Sequence, residues 1–441
     1  MADIDRLIQT ININRPVIEE RDKRYRGKVP LAFHADELTG DLKRFSINIY
    51  RLAVNAVAER MRVTSIDADA YGDDLSARAW ELWRAQNLDQ TIQAVLADAM
   101  ALGAAYWTVW ADSDGRPAIT AESAAHMAVK RDPITGEVID AVKRWYAADE
   151  LGVIQDEYAV HYTAERITLH KRGSANTWET VSTQDNDLGV VPVVPMVNFD
   201  RLGDEQGYSV IDDMAPLVDA LAKLISDMIV TSESVARPKR WAAGITLPDA
   251  DTTGFVADDD DQDAAPAPRD VSNPFEDGSR VWAVEESEAK FGQLPGADLK
   301  GYETAVSVIM EQISALTGLP PHMLGESKAN PSSADAIRAA ETSLTARAEG
   351  RIRVLGLAVE NAMRLLIAVD QGIDPADVNV TLNWADASTR SYAQEVDGIT
   401  KLASLGIITI DEARERLGLE PRPTTAMPNP TGMADPLGVG A

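Results

Sequence analysis

The sequence predicts an α+β fold, on three observations. Apolar residues recur at steps of three and four over long stretches after residue 208, the period of helices with one buried stripe. Short alternating runs rich in β-branched and aromatic residues are concentrated between residues 104 and 200, the signature of antiparallel strands. Between two of the helices lies an acidic, Pro/Ala-rich insert, "DADTTGFVADDDDQDAAPAPRD", whose composition suits a loop.

Residues 1–30 read as a helix closed by "RYRGKVP", with a basic tail "RDKRYRGK". Residues 46–60 form a second helix with Ile49, Leu52, Ala53, Ala56 and Val57 on one side. Two more are expected at Leu75–Ala85 and Leu88–Leu102. "AAYWTVWA", "AVHYTAERITLHKR" and "TWETVST" then read as strands between turns. "LGVVPVVPMVNF" carries Pro192 and Pro195 and suits an edge strand, where a missing N–H breaks no ladder.

A long helix is expected from residue 208. Ile211, Met214, Val218, Leu221, Ile225, Met228 and Val235 make its stripe, and Ser209 with Asp212 is placed as a capping box. Pro216 is expected to kink this helix or mark its first turn, and Pro238 to end it. "SRVWAVEE" inside the insert reads as a strand. The next helix spans about Leu299–Thr317, with Tyr302, Val306, Ile309, Ile313 and Leu316 in its stripe and Gly318 at the C′ position. Then "GLPPHMLGESKANPSS" interrupts, before an Ala-rich helix capped by Ser332 with Asp335. Its stripe is Ile337, Ala340, Leu344, Ala348, Ile352, Leu355, Val359, Met363 and Leu366, and Gly350 and Gly356 predict a bend. "VNVTLNW" is a strand, followed by short helices near 391–405 and 410–417 and a Pro/Gly-rich tail expected to be mobile.

Composition limits the function. A net charge of −28 opposes binding to polyanions and speaks against a sequence-reading DNA protein, which needs a basic footprint. Cysteine is absent, so disulfides and thiolate metal sites are excluded. No run of about 18 apolar residues predicts a membrane span, and "MADIDRLIQT" does not have the pattern of a secretory signal. The five histidines, His34, His126, His161, His170 and His322, show no i, i+3 or i, i+4 spacing, so no metal or other cofactor is expected. "GESKA" approaches both a phosphate loop and a nucleophile elbow. It lacks the glycine order of the first and, for Ser327, the preceding strand of the second. No catalytic residue is predicted. Trp80, Trp83, Trp107 and Trp110 fall at core-like positions.

Several strings, in this order, resemble the portal proteins of tailed bacteriophages in the SPP1-type branch. They are "RDKRYRGKVPLAF", "NAVAERMRV", "WELWRAQNLDQTIQAVLADAMALGAAYWTVW", "VPVVPMVNFDRLGDEQGYSVIDDM", "SVARPKRWAAG", "ALTGLPPHMLGESKANPSSADAIRAAETSLTARAE" and "WADASTRSYAQEVDGITKLASLGIITIDEARERLG". The resemblance covers roughly 400 residues and is weakest in the acidic insert and the tail. It implies a portal fold with these parts: a mixed helical and β wing (1–207), a first stem helix (208–236), a small α/β clip (237–297), a second stem helix (298–318), a tunnel loop (319–334), a long kinked wing helix and strand (335–390) and a helical crown with a flexible tail (391–441).

The function implied is a ring, usually of about twelve copies, at one capsid vertex of the virion, assembled in the host cytoplasm. Double-stranded DNA would pass through it without sequence specificity during packaging and ejection. Implied partners are the terminase large subunit, a head–tail connector, and the major capsid and scaffolding proteins, with no membrane. His322, Ser327, Lys328, Asn330 and Ser332 would face the channel. Ile211, Met214, Val218, Leu221, Ile225, Met228, Val306, Ile309 and Ile313 would pack the stems of neighbouring copies. Arg237, Lys239 and Arg240, at the stem–clip junction, would touch DNA or pair between subunits. A channel-free helical scaffold or adaptor, and less favourably a serine hydrolase using Ser327, are the alternatives.

Overall fold

A computed structural model describes residues 2–28, 47–111, 114–149, 153–173, 177–204, 206–236, 240–243, 288, 290–293, 299–325, 333–388 and 392–417. The chain opens with α1 (Ala2–Tyr25) and α2 (Ile49–Ala58), then β1 (Val63–Ala70) and β2 (Asp73–Asp74). Helices α3 (Ser76–Ala85) and α4 (Leu88–Leu102) follow. Next come β3 (Ala104–Ala111), β4 (Pro117–Ser123), β5 (Met127–Arg131), β6 (Val138–Ala148), β7 (Ile154–Tyr162), β8 (Arg166–Arg172), β9 (Trp178–Asp185) and β10 (Val193–Val197). The second half holds α5 (Val210–Ala236), β11 (Arg240–Ala243), β12 (Lys290–Gln293), α6 (Lys300–Thr317), α7 (Ala334–Gln371), β13 (Val378–Trp384), α8 (Tyr392–Ser404) and α9 (Ile410–Arg416).

The strands form antiparallel sheets with orders β13-β1-β2, β10-β3-β4, β11-β12 and β5-β6-β7-β8-β9. β3 is central in its sheet, and its first six residues, "AAYWTV", are all buried. A run buried throughout, apolar but for Thr108, is what a strand covered on both faces requires. α4 and α7 both pack on β3 and β4. β10 lies at the edge of this sheet, as Pro195 within it and Pro192 just before it predict, with Pro195 opposite Tyr106.

The five-stranded meander has its own small core. Ile4, Leu7, Ile8 and Ile11 of α1 pack on Ala128, Val142, Ala159 and Trp178. His161 of β7 faces the Asp140 carboxylate on β6, and His170 is buried on β8. β1 is one of the strands that the sequence reading does not name. Its burial alternates over Ile66, Ala68 and Ala70, and it pairs along its length with β13. A tight turn with positive φ at Tyr71 and Gly72 returns the chain to β2.

Two expectations about side chains need correcting. Trp83 and Trp107 are buried, and Trp80 stacks on Trp83 with ring centroids 6.2 Å apart, but Trp110 is 37% exposed. Exposure begins at the end of the strand, where Trp110 and Ala111 run past the cover that buries both faces of Ala104–Val109. On α7, the cap is Ser333, whose hydroxyl accepts from the Ala336 N–H at 3.2 Å, one residue later than expected. α7 runs through both glycines as one helix, and Gly356 admits the ring of Trp384: a Cβ there would lie 3.3 Å from its Nε1.

Candidate functional site

The candidate site is the joint where α5, α6 and α7 meet. α5 begins where the expected cap is half realised. The Ser209 hydroxyl accepts from the Ile211 N–H at 3.1 Å and donates to the Ala101 carbonyl at 2.5 Å. Asp212 does not reach back to complete a box. Its carboxylate takes a two-point hydrogen bond from Arg21 of α1, at 2.5 and 3.1 Å, because a guanidinium fork binds a carboxylate better than one N–H does. One turn further along α1, Arg24 donates to Asp219 of α5 and to the Tyr50 hydroxyl, both at 2.9 Å. The basic tail of α1 therefore clamps the acidic first half of α5.

Burial opposes the charge on Arg24. The hydrogen bonds to Asp219 and Tyr50 outweigh it, and the pKa rises. Burial likewise pushes Tyr50 up to about 12, against the pull of Arg24. Pro216 lies inside α5 rather than in its first turn, and the helix continues past it to Ala236.

The apolar stripe of α5 divides in two. Ile211, Met214, Val218 and Leu221 are buried, each 3% exposed or less. Ile225 and Met228 are only half-buried, and Val235 is 38% exposed. α6, packed beside α5, shows the same gradient in reverse. Ile313, near the joint, is buried, Val306 and Ile309 are half-buried, and Val308 is 51% exposed. At the far end Thr231 Oγ1 and Tyr302 Oη lie 3.2 Å apart. The chain then continues into the ribbon of β11 and β12, with Arg240 opposite Gln293. Arg237 and Lys239, and the expected strand "SRVWAVEE", lie outside the described residues.

At the near end α6 stops at Gly318, in the left-handed conformation with φ +73°. No other residue type fits easily, since a Cβ there would lie 2.6 Å from Arg347 Nε. Arg347 of α7 donates to the Leu316 carbonyl at 2.7 Å, and Ser314 donates to the Leu319 carbonyl at 2.6 Å. Pro321–Leu324 then form one 3-10 turn, ending at Gly325 with φ +85°. Within it, His322 Nε2 lies 3.7 Å from Glu341 Oε1 of α7. Glu341 Oε2 in turn accepts from Arg60 Nη2, just after α2, at 3.1 Å. Of the predicted loop residues, His322 is thus placed at the root. Ser327, Lys328, Asn330 and Ser332 lie outside the described residues.

Sequence reasoning missed Arg21, Arg24, Arg60, Glu341 and Arg347. The partners described above lie between 19 and 281 residues away, which no local pattern encodes. Among the described residues no three His, Asp or Glu side chains converge as a metal site, and no helix is long and apolar enough to cross a membrane.

Residues 4–424 match the family described as "Phage portal protein, SPP1 Gp6-like". The chain is 31% identical over 394 residues to the portal protein of Mycobacterium phage D29, covering 83% of this chain and 75% of that protein. It is 30% identical over 393 residues to the portal protein of Mycobacterium phage L5, covering 84% and 74%. Among solved structures it is similar to a chain of "Virion of native gene transfer agent (GTA) particle", with a TM-score of 0.46, 15% identity and coverage of 92% and 94%. A chain of "Neck of empty GTA particle computed with C6 symmetry" gives 0.47, 15%, 92% and 94%. With a family match over nearly its whole length and relatives of 30% identity and more, the chain belongs to the phage portal protein family, in its SPP1 Gp6-like branch.

Proposed function

We propose that this chain assembles into a closed ring of about twelve copies at one vertex of a phage capsid, and that double-stranded DNA passes through the ring during packaging and ejection. The carrying observation is the half-satisfied stripe on α5 and α6. Ile225, Met228, Val306 and Ile309 keep part of their apolar surface open in a single chain, while Leu221 and Ile313 do not. Covering a large apolar side chain is worth about 1.5–3 kcal/mol. Neighbouring copies supply that cover, with α5 and α6 as the stem and residues 237–297 as the clip that meets the terminase large subunit and later the head–tail connector. Residues 1–207 and 335–390 form the wing, which faces the major capsid and scaffolding proteins. Residues from 391 form the crown.

The bore follows from charge. Phosphate contacts by Lys and Arg add affinity and salt dependence, so a conduit through which DNA must slide does better with few of them. A chain of net charge −28 supplies a mostly repulsive wall, felt within a screening length of roughly 10 Å. Residues 319–334, rooted between α6 and α7, form the tunnel loop. Lys328, with Ser327, Asn330 and Ser332, makes brief backbone contacts there, while Arg237, Lys239 and Arg240 at the stem–clip junction touch DNA or pair between subunits. No catalytic step is assigned to the chain, and ATP hydrolysis belongs to the motor.

Because the chain has no cysteine, Lys328→Cys introduces a unique attachment point for a photo-crosslinker. In packaged particles the label is expected to capture DNA of any sequence. Labelled particles full of DNA but without crosslinks would contradict a loop that faces the channel.

A further inference from the structure

Glu341 is a buried carboxylate, 5% exposed, seven residues into α7 after Ala334. Its two oxygens face two different parts of the chain. Oε2 accepts from Arg60, which also donates to the Ala56 carbonyl of α2 at 3.0 Å. Oε1 faces His322 Nε2 across 3.7 Å, in the 3-10 turn that leaves α6. Six residues further along α7, Arg347 holds the Leu316 carbonyl, so the chain from 316 to 322 is fixed to α7 at two points. One of those points is shared with the end of α2.

We propose that Glu341 is a positioning residue that couples the root of the 319–334 loop to the N-terminal helical layer, so that the turn at Pro321–Leu324 and the end of α2 cannot shift independently. A buried charge is costly unless it is paired, so displacing Arg60 removes a charged hydrogen bond from Glu341, and a shift of the turn withdraws the His322 ring from the other carboxylate oxygen. The segment is one short 3-10 turn, with Met323 N–H donating to Pro320 at 3.0 Å and Gly325 N–H to His322 at 3.4 Å and to Pro321; these bonds hold its shape, and side-chain anchors hold it against α7. The coupling deepens the conduit reading, because it gives the body of the protein a way to set the angle of the channel loop.

Hydrogen exchange on the full chain tests it. Glu341→Gln is expected to raise exchange about tenfold both at 319–325 and at 59–62, and to leave 211–221 of α5 unchanged. Glu341→Asp restores much of the protection. Leu344→Ala, which removes a fully buried side chain one turn on, lowers the thermal midpoint without the paired rise. Arg60→Met is the second variant, and it must raise exchange at 319–325 although the substitution lies outside that loop. Wild-type protection at both segments in Glu341→Gln, a change confined to one segment, or an unaltered loop in Arg60→Met would overturn the proposal. None of those results bears on whether a ring forms or DNA enters it.

Discussion

Gly207 lies directly against Gly103: a Cβ placed on Gly207 would stand 1.9 Å from the Gly103 carbonyl oxygen. Both residues have positive φ, +84° and +102°. The Asn198 N–H donates to the Gly103 carbonyl at 2.9 Å, and the Tyr208 N–H to the Asn198 carbonyl at 2.6 Å. The end of α4, the start of β3 and the start of α5 thus meet backbone against backbone, and the Ser209 hydroxyl adds a bond to the Ala101 carbonyl. Gly207→Ala is expected to cost about 3 kcal/mol or more, from a steric clash added to a strained conformation. Gly189→Ala, with φ +66° and no neighbour within 4 Å, is expected to cost only about 1–2 kcal/mol. Urea unfolding of the two variants checks the difference, and equal losses would count against the close approach.

The divided stripe of α5 predicts that two similar substitutions act differently. Leu221→Asp buries a charge inside the chain and should prevent folding, read as loss of the cooperative thermal transition. Met228→Asp alters a half-buried side chain and should leave the chain folded while it abolishes assembly, read as a shift of solution mass to that of a single copy. A ring formed normally by Met228→Asp would mean that this part of α5 is covered in some other way.

The ends and faces of α5, α6 and α7 were legible because helices of this length repeat their stripe many times and stop at clear signals such as Gly318. Pro192 and Pro195 marked the edge position of β10. β1 was missed although "SIDADA" alternates cleanly, because small alanines and aspartates give a weak strand propensity that only pairing with β13 overcomes. Asp212 was assigned to a local cap when a distant arginine had the stronger claim. Adjacent serines left the α7 cap uncertain by one residue, a distinction that depends on which hydroxyl meets the Ala336 N–H. The polar joint was not legible at all. Arg60 and Glu341 are ordinary surface residue types until the fold buries them 281 positions apart.

Alkaline pH gives a third test. Burial pushes the Tyr106 hydroxyl up to about 12 from the usual 10.0. A pKa raised in the folded state means that the fold holds the proton more tightly. Its contribution is complete below pH 10 and is lost as pH rises towards 12. Between pH 9 and pH 11 this group should lower stability by about 1.4 kcal/mol. Tyr106→Phe is expected to remove that part of the slope in urea titrations at the two pH values. An unchanged slope would place the alkaline sensitivity elsewhere.

Lys328→Glu should alter packaging or the retention of packaged DNA while leaving ring assembly intact, measured by nuclease-protected DNA per particle. The expected direction is weaker retention, with less dependence on salt, because a phosphate contact is replaced by repulsion. Unaltered retention would remove Lys328 from the channel contacts.

The central claim is that half-open stripes on α5 and α6 are closed by other copies around an axial bore. The most direct measurement is the mass of the purified chain in solution, with images of the same sample. Twelve copies of a 47.8 kDa chain give about 570 kDa, and the images should show a ring with a central hole. A stable monomer, a dimer or an open filament would contradict the account.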